Sequence, residues 1–173
     1  MNTYLETYGA KMANVVKRNL QCRFSYHYKK SRNAWFKKLR KTYYMYGDAY
    51  GDKRTNTSIK TYMKKAKKNR VKIQYKQITV DTNSAYYSGG KWCFKCYVKF
   101  KATSRKWTKD KKGWLQDIIY ANCGVYLKGL KKGKWWSGYL DIPMVETAYG
   151  QADGTETIDT FGAELVSPCY FGK

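Results

Sequence analysis

The residues best suited to metal chemistry are Cys93 and Cys96, whose C-x-x-C spacing is half of a typical zinc site. They lie in the segment from Lys91 to Lys101, where apolar and polar residues alternate with period two, a pattern that predicts a strand. The two cysteines would then point to opposite faces, whereas zinc ligands must converge on one ion. No second C-x-x-C and no histidine pair completes a ligand set. We therefore expect no metal and no other cofactor.

Acid–base or nucleophilic catalysis would depend on His27, the single histidine of the chain. A Ser-His-Asp or Cys-His set would have to use it, but the sequence favours a histidine on a helix surface or in the core. The acids on the predicted strands are Asp81, Asp117 and Asp141, and the sequence places no proton-transfer partner beside them. No phosphate loop, nucleophile elbow or zinc-protease motif is present. We predict that the protein is not an enzyme and has no catalytic residues.

The dominant feature is basic charge, with 35 lysines and arginines against 12 acids and a net charge of +23. Residues 1–136 hold 34 basic and 6 acidic side chains, a net of +28, whereas residues 137–173 hold 1 and 6, a net of −5. Such an excess concentrates polyanions through a long-range field. Nucleic acid is the commonest partner of this kind, and teichoic acid or an anionic membrane surface would respond to the same field. We predict that the chain binds a polyanion, nucleic acid first, with DNA and RNA left open.

Aromatic residues make up 17% of the chain, and many adjoin basic ones, as in Lys134-Trp135-Trp136 and Arg105-Lys106-Trp107. Proteins that bind single strands combine a cationic groove with aromatic rings on which bases stack. The alternative is that these rings belong to the core and that lysines flank them because strands alternate. The sequence leaves both interpretations open.

The candidate nucleic-acid contacts are basic residues on the second and third predicted helices and on one predicted strand. On that strand, the lysines share the face opposite Phe94 and Phe100. The candidates are Lys37, Lys38, Arg40, Lys41, Lys64, Lys65, Lys67, Lys68, Arg70, Lys95, Lys99 and Lys101. Because no base-reading motif is present, we expect contacts mostly to phosphates and a strong dependence on salt.

Apolar residues recur at helical spacing in three N-terminal segments. Thr3-x-x-Glu6 is a capping-box pattern, and the apolar stripe after it predicts an amphipathic helix from Thr3 to about Tyr26. A second predicted helix begins near Ser31 and a third near Ser58. The positions predicted to face the core are Trp35, Phe36, Leu39 and Tyr43 in the second helix and Ile59, Tyr62, Met63 and Ala66 in the third.

From Val71 onward the pattern changes to period two, with predicted strands over residues 71–80, 92–102, 114–127 and 135–142. A change of parity between Tyr75 and Ile78 predicts a bulge near Gln77. The turns between these strands are short, which favours antiparallel pairing. Helices followed by consecutive strands indicate an α+β fold, in which N-terminal helices pack on an antiparallel sheet of about four strands.

The last two predicted strands carry a family resemblance. Residues 117–128, followed by Lys132-Gly133-Lys134-Trp135-Trp136 and Gly138-Tyr139-Leu140-Asp141, resemble the final hairpin of the nuclear transport factor 2-like superfamily. The resemblance covers roughly residues 3–142 and implies a bent sheet that wraps around the helices in a cone. That superfamily includes enzymes, transport adaptors, assembly modules and conjugation-machinery domains, so the resemblance implies a fold and leaves the function open.

The charge change divides the chain into a basic α+β domain, residues 1–142, and an acidic C-terminal tail or arm, residues 143–173. Apolar residues in the tail, such as Phe161 and Tyr170, predict that it docks on the chain's own body or on a neighbouring copy. The alternative function is therefore a structural component of a phage particle or a mobile-element or conjugation assembly, built as a homo-oligomer or larger complex through the tail.

The sequence also gives an expected location. It has no apolar run long enough for a transmembrane helix, and its first ten residues lack the apolar region of a secretory signal peptide. Five cysteines, an odd number without a disulfide spacing pattern, favour a reducing compartment. We expect the protein in the cytoplasm or within a virus particle.

Overall fold

A computed structural model describes residues 3–30, 32–40, 60, 63–64, 66–88, 91–105, 107, 129–145 and 157–158. Its elements are α1 (Thr3–Arg23), β1 (Tyr26–His27), α2 (Arg32–Arg40), β2 (Lys72–Ser88), β3 (Lys91–Thr103), β4 (Trp136–Val145) and β5 (Thr157–Ile158). Residues 63–64 and 66–68 are also helical. The predicted α+β class is confirmed. The predicted strand over 114–127 lies outside the described residues.

Within these residues the sheet has five strands in the order β1-β2-β3-β4-β5, and all neighbours are antiparallel. The predicted bulge near Gln77 is confirmed. Tyr75 pairs with Phe100 and Gln77 with Lys99, so that Lys76 is the extra residue. A second irregularity lies between Asp81 and Tyr86. Bulges bend a strand and increase its twist, so β2 is curved at two places.

The first helix is shorter than predicted, because α1 ends at Arg23 instead of continuing to about Tyr26. Tyr26 and His27 form β1, which pairs with Ile73 and Lys72 at the edge of β2. Aromatic residues favour strands, and this edge supplies backbone hydrogen-bond partners that a helix end lacks. The apolar spacing alone did not reveal this tertiary pairing.

The core lies between α1 and the inner face of the sheet. Phe24 at the end of α1 and Phe100 of β3 are fully buried, and their ring centroids lie 4.6 Å apart. Such a pair contributes about 0.5–1.5 kcal/mol beyond the burial of its area. Along β3, Cys96 is buried and Cys93 is only half-buried, which confirms that the two cysteines face opposite sides. The other fully buried core residues of α1 and β3 are Met12, Val16, Leu20, Phe94 and Val98.

At the start of β4 the Trp136 ring lies over Gly138. A Cβ atom on Gly138 would stand only 2.6 Å from that ring, so the close approach requires glycine there. The Trp136 ring also contacts Phe100, with a centroid distance of 5.4 Å. This packing fixes Trp136 on the inner face and therefore turns its neighbour Trp135 to the opposite side.

The helical residues 66–68 end in a Schellman arrangement. The Arg70 N–H donates to the Lys67 carbonyl at 3.1 Å, and the Val71 N–H donates to the Ala66 carbonyl at 3.0 Å. Arg70 has a positive φ of 52°, the left-handed conformation that this motif needs. Met63 and Ala66 are buried, as the predicted third helix required.

Candidate nucleic-acid interface

The sheet face opposite α1 is exposed and carries a mixture of lysines and aromatic rings. We call it the outer face. Strand alternation and the register place its residues in rows that cross three strands. They are Lys72, Gln74, Gln77, Thr79 and Asp81 on β2, Lys95, Tyr97, Lys99, Lys101 and Thr103 on β3, and Ser137, Tyr139 and Asp141 on β4.

Two tyrosines occupy the middle of the outer face. Tyr97 and Tyr139 are direct cross-strand partners, and their rings meet edge to face at a centroid distance of 5.5 Å. Tyr139 is 63% exposed, although ring burial normally stabilises a fold. A ring that is largely open to solvent can accept a further planar group. Together with Thr79 and Lys95, the pair lines a shallow depression.

Lysine ammonium groups lie over several of the exposed rings. The Lys95 ammonium is 4.8 Å from the centre of the Tyr139 ring, and the Lys101 ammonium is 4.8 Å from that of Trp135. Lys76, the bulged residue of β2, approaches Trp135 as well, at 5.7 Å. These contacts hold each cation beside a ring. A ligand with both a negative group and a flat aromatic group would find both complements together.

The charge of the outer face differs along β3. Lys95 lies between Asp81 and Asp141 in the cross-strand register. Lys99 instead lies between the neutral Gln77 and Ser137. The part of the outer face in which lysines have no acidic cross-strand partner therefore begins at Lys99, and we call this part the positive end.

That positive end continues toward β1. Lys101 pairs with Gln74, and Lys72 with Thr103. Lys72, Lys101 and Lys30 line a cavity of about 260 Å³, and none of the described residues that line it is acidic. The cavity connects the lysines of the outer face with Lys30 in the turn that follows β1.

His27 lies on this basic surface and is neutral at physiological pH. Desolvation, followed by the charges of Lys72, Lys29 and Lys30, lowers the pKa of His27. Its Nδ1 accepts a hydrogen bond from the Lys29 N–H at 3.1 Å, which requires an unprotonated Nδ1. The His27 ring stacks on Tyr28 at 5.0 Å. The surroundings suit an aromatic surface residue rather than a proton donor.

The structure brings together only some of the sequence candidates. The three sheet lysines, Lys95, Lys99 and Lys101, share the outer face as predicted. The helical lysines Lys37, Lys38, Lys64, Lys67 and Lys68 and the capping Arg70 are exposed on other elements. Arg40 is the last residue of α2, while Lys41 and Lys65 lie outside the described residues.

Four outer-face or adjacent residues were not among the predicted contacts: Lys72, Lys76, Tyr97 and Tyr139. The sequence pattern could have identified the first three. Tyr97 has the parity of Lys95 and Lys99, and alternation together with the bulge accounts for Lys72 and Lys76. The position of Tyr139 required the register between β3 and β4, which the sequence does not contain.

Two further observations on the described residues concern metal binding and membrane insertion. No three histidine, cysteine or acidic side chains in this part of the chain lie close enough to hold a metal ion. None of its helices is both long and apolar enough to cross a bilayer. Comparison with known proteins gave no match to a family model, to a curated protein or to a solved structure.

Proposed function

We propose that this protein is a non-catalytic, strongly basic binding protein for nucleic acid, with the outer face as its contact surface. The observation that carries this proposal is the cross-strand pair Tyr97–Tyr139, whose Tyr139 ring is largely exposed, with lysines on both sides. Bases stack on such rings while phosphates meet the neighbouring ammonium groups.

The geometry favours a single strand over a duplex. In a duplex the flat faces of the bases are covered by their neighbours, whereas an unstacked strand exposes them to aromatic side chains. The ammonium groups of Lys95 and Lys101 lie over aromatic rings, an arrangement that suits stacking and phosphate contact better than the reading of base edges. We therefore expect little sequence preference and a large phosphate contribution.

Fluorescence anisotropy with labelled oligonucleotides tests this proposal. A single strand of about 15 nucleotides, near the upper end of known site sizes, should bind more tightly than the duplex of the same sequence. Its log affinity should fall linearly with log salt, by about 0.7 for each phosphate contacted. Equal affinity for the single strand and the duplex would show that the aromatic rings do not contribute to binding. The absence of binding at low salt would overturn the proposal.

The second candidate is the assembly function of the acidic tail. The described tail residues Thr157 and Ile158 pair with Val145 and Met144 of the same chain, and β5 also approaches α1. Met144 and Val145 belong to the tail itself, so the approach of β5 to α1 is the contact that supports a tail lying on its own body. Contacts within one chain do not test a bridge between copies. Homo-oligomer formation therefore stays a prediction.

Size-exclusion chromatography separates the two candidates, with the ratio of absorbance at 260 and 280 nm read before and after a high-salt wash. Bound nucleic acid that salt removes favours the first function. A large, salt-resistant oligomer free of nucleic acid favours the second. Deleting residues 150–173 should raise the affinity for polyanions if the tail masks the basic body, or lower the oligomer mass if it bridges copies.

We also propose that the whole domain has the cone shape of the nuclear transport factor 2-like superfamily. The two irregularities of β2 support this proposal, because bulges bend a strand, as a sheet that wraps around helices requires, and because α1 packs against β2. An experimental structure that includes residues 108–128 tests it. A flat sheet, or a segment 114–127 that is not a strand of this sheet, would contradict it.

A further inference from the structure

A second, larger cavity of about 480 Å³ lies between the end of α1, β1 and α2. This volume is within the range of small-molecule sites, about 300–1,000 Å³. Among the described residues its charged lining consists of Arg18, Lys30 and Lys38, without an acid. Three aromatic side chains, Tyr26, Trp35 and Tyr75, also line it. The cavity thus combines cations with flat apolar rings.

The cations come from separate elements and converge. Arg18 of α1 and Lys38 of α2 both exert their charge on the Cys22 thiol at the cavity wall. Burial is the stronger influence on this thiol and raises its pKa, so that Cys22 is a neutral thiol at physiological pH. The lowered pKa of His27 leaves the imidazole neutral too. The described lining therefore offers an anion positive charge and no repulsion.

The Trp35 ring is fixed in the wall. Its indole N–H donates to the Cys22 carbonyl at 2.9 Å, which satisfies a carbonyl in the last turn of α1. Tyr26 meets the same ring edge to face at 5.3 Å. Tyr75, across the cavity, is 38% exposed although it lies on the inner side of the sheet. A pre-positioned ring of this kind loses little side-chain freedom when a planar ligand stacks on it.

We infer that this cavity binds one nucleotide, with its phosphate at Arg18, Lys30 and Lys38 and its base against Trp35. The lining suits this chemical class better than an apolar ligand, which would leave three cations without a counter-charge, and better than a cationic ligand, which they would repel. A terminal nucleotide of a bound strand and a free mononucleotide share this chemistry.

The terminal nucleotide of a strand is the source that the surface favours, and this part of the inference rests on the proposed function. The cavity shares Ser25, Tyr26, His27 and Lys30 with the smaller cavity described above. That smaller cavity reaches Lys72 and Lys101 on the outer face. A strand that runs along the outer face from the tyrosine pair toward β1 can therefore place its end nucleotide in the larger cavity without crossing an acidic region of the described surface.

Isothermal titration with AMP, adenosine and inorganic phosphate tests the cavity by itself. AMP should bind more tightly than either adenosine or phosphate, because only AMP occupies both halves of the site. Lys38→Glu should weaken AMP binding by about tenfold or more, since charge-assisted hydrogen bonds are each worth about 1.5–3 kcal/mol. Lys37→Glu is the matched control, because Lys37 is the exposed neighbour on α2 and does not line the cavity.

Tryptophan fluorescence tests the position of the base separately. AMP should quench tryptophan fluorescence in the parent protein, and Trp35→Phe should remove most of that quenching while keeping a ring in the wall. A circular dichroism spectrum equal to that of the parent shows that each variant is folded. Quenching that survives Trp35→Phe would place the base elsewhere and overturn the assignment.

Oligonucleotides with and without a 5′ phosphate separate the two sources of the ligand. A gain in affinity from the 5′ phosphate, lost in Lys38→Glu and kept in Lys37→Glu, assigns the cavity to a strand end. AMP binding without that gain assigns it to a free mononucleotide. If oligonucleotides bind the outer face but AMP does not bind and the 5′ phosphate adds nothing, the inference is wrong while the proposed function stands. If AMP binds and oligonucleotides do not, the proposed function alone fails.

Discussion

The two ends of the outer face carry the same residue type in opposite surroundings. At one end Lys95 is flanked across the strands by Asp81 and Asp141, and that row has a net charge of −1. At the other end Lys99 has only neutral cross-strand partners, and Lys101 lies beside Trp135. A lysine count along β3 treats the three positions as equal. The register shows that Lys95 has two acidic cross-strand neighbours and that Lys99 has none.

The difference between the ends matters because salt screens exposed charges beyond roughly 10 Å, so the nearest charges decide where a bound phosphate lies. Two unit charges about 4 Å apart interact by about 1 kcal/mol in water, and by more where the surface excludes water. A phosphate that approaches Lys95 meets one attractive and two repulsive charges, whereas a phosphate at Lys99 meets attraction alone. The path of a bound strand should therefore run from the tyrosine pair toward Lys101 and β1.

The largest effect is expected from reversing charge at the positive end. The double variant Lys99→Glu, Lys101→Glu should weaken binding of a single strand by about tenfold or more, because hydrogen bonds to charged groups are worth about 1.5–3 kcal/mol each. It should also reduce the slope of log affinity against log salt by about 0.7 for each phosphate that the variant no longer neutralises. Anisotropy titrations between about 50 and 200 mM salt measure both quantities.

The matched control for that variant is Lys64→Glu, Lys67→Glu, which makes the same charge change on the exposed side of the helical segment. The control lowers the overall field equally but leaves the outer face intact, so its effect should be clearly smaller. Equal decreases in affinity for the two double variants would show that the field of the whole chain, rather than the outer face, sets the affinity. Lys95→Glu should have the smallest effect of the sheet lysines.

A somewhat smaller decrease in affinity is expected from Tyr139→Ala. Stacking on an aromatic side chain is worth about 1–3 kcal/mol for each base, and the ring is 63% exposed, so its removal leaves the core intact. The decrease should appear with a single strand and not with a duplex, and Tyr139→Phe should retain most of the affinity. Tyr87→Ala is the control, because Tyr87 is 59% exposed outside this cluster. Equal decreases for Tyr139→Ala and Tyr87→Ala would contradict a specific platform.

Sequence alone was sufficient for those parts of the fold that local periodicity determines. Alternation along residues 92–100 identified β3, its inner face and the opposite orientation of Cys93 and Cys96. The parity change between Tyr75 and Ile78 predicted a bulge near Gln77, and the register places the extra residue next to it, at Lys76. Each of these predictions depends on the side-chain direction within one strand, which a period of two fixes without knowledge of any partner.

The remaining features depend on contacts between segments distant in the chain. The pairing of β1 with Lys72 and Ile73 ended α1 three residues earlier than its apolar spacing suggested. The row Asp81–Lys95–Asp141 requires the registers of two strand pairs. The cavity at Trp35 requires α2 to close on the end of α1. None of these contacts leaves a periodic signal in the sequence, because each is selected by packing and hydrogen bonding between segments.

Neutralising the acidic end of the outer face should have a moderate effect in the opposite direction. Asp81→Asn, Asp141→Asn should strengthen binding of a single strand by about two- to thirtyfold, since exposed charge pairs are worth about 0.2–1 kcal/mol each and both repulsive charges disappear. Lys95→Glu, nearly silent in the parent protein, should now lower the affinity. Asp81 also accepts a hydrogen bond from the Asn83 N–H at 2.9 Å, which the asparagine oxygen can still accept.

The corresponding control changes an acid away from the outer face. Glu6→Gln removes one negative charge near the start of α1, where Glu6 is exposed in the first turn. Its effect on affinity should be smaller than that of either aspartate change alone. An increase from Glu6→Gln as large as the increase from Asp141→Asn would show that net charge, and not the local row, limits binding at the Lys95 end.

The smallest effect concerns pH and His27, at the far positive end of the path. Its pKa in the folded protein is lower than the ordinary value of about 6.5. Between about pH 7.5 and about pH 5.5 the unfolded chain therefore binds a proton before the folded chain does, and the free energy of unfolding should fall as the pH falls. Urea unfolding of the parent protein and of His27→Gln at both pH values measures this, and the variant should show a weaker pH dependence.

A bound strand should act on the protonation of His27 in the opposite direction. Phosphate beside Lys72 and Lys30 favours the imidazolium, so binding should strengthen slightly on acidification in the parent protein and less so in His27→Gln. If the two proteins show the same pH dependence in both assays, His27 does not lie on the path of the strand.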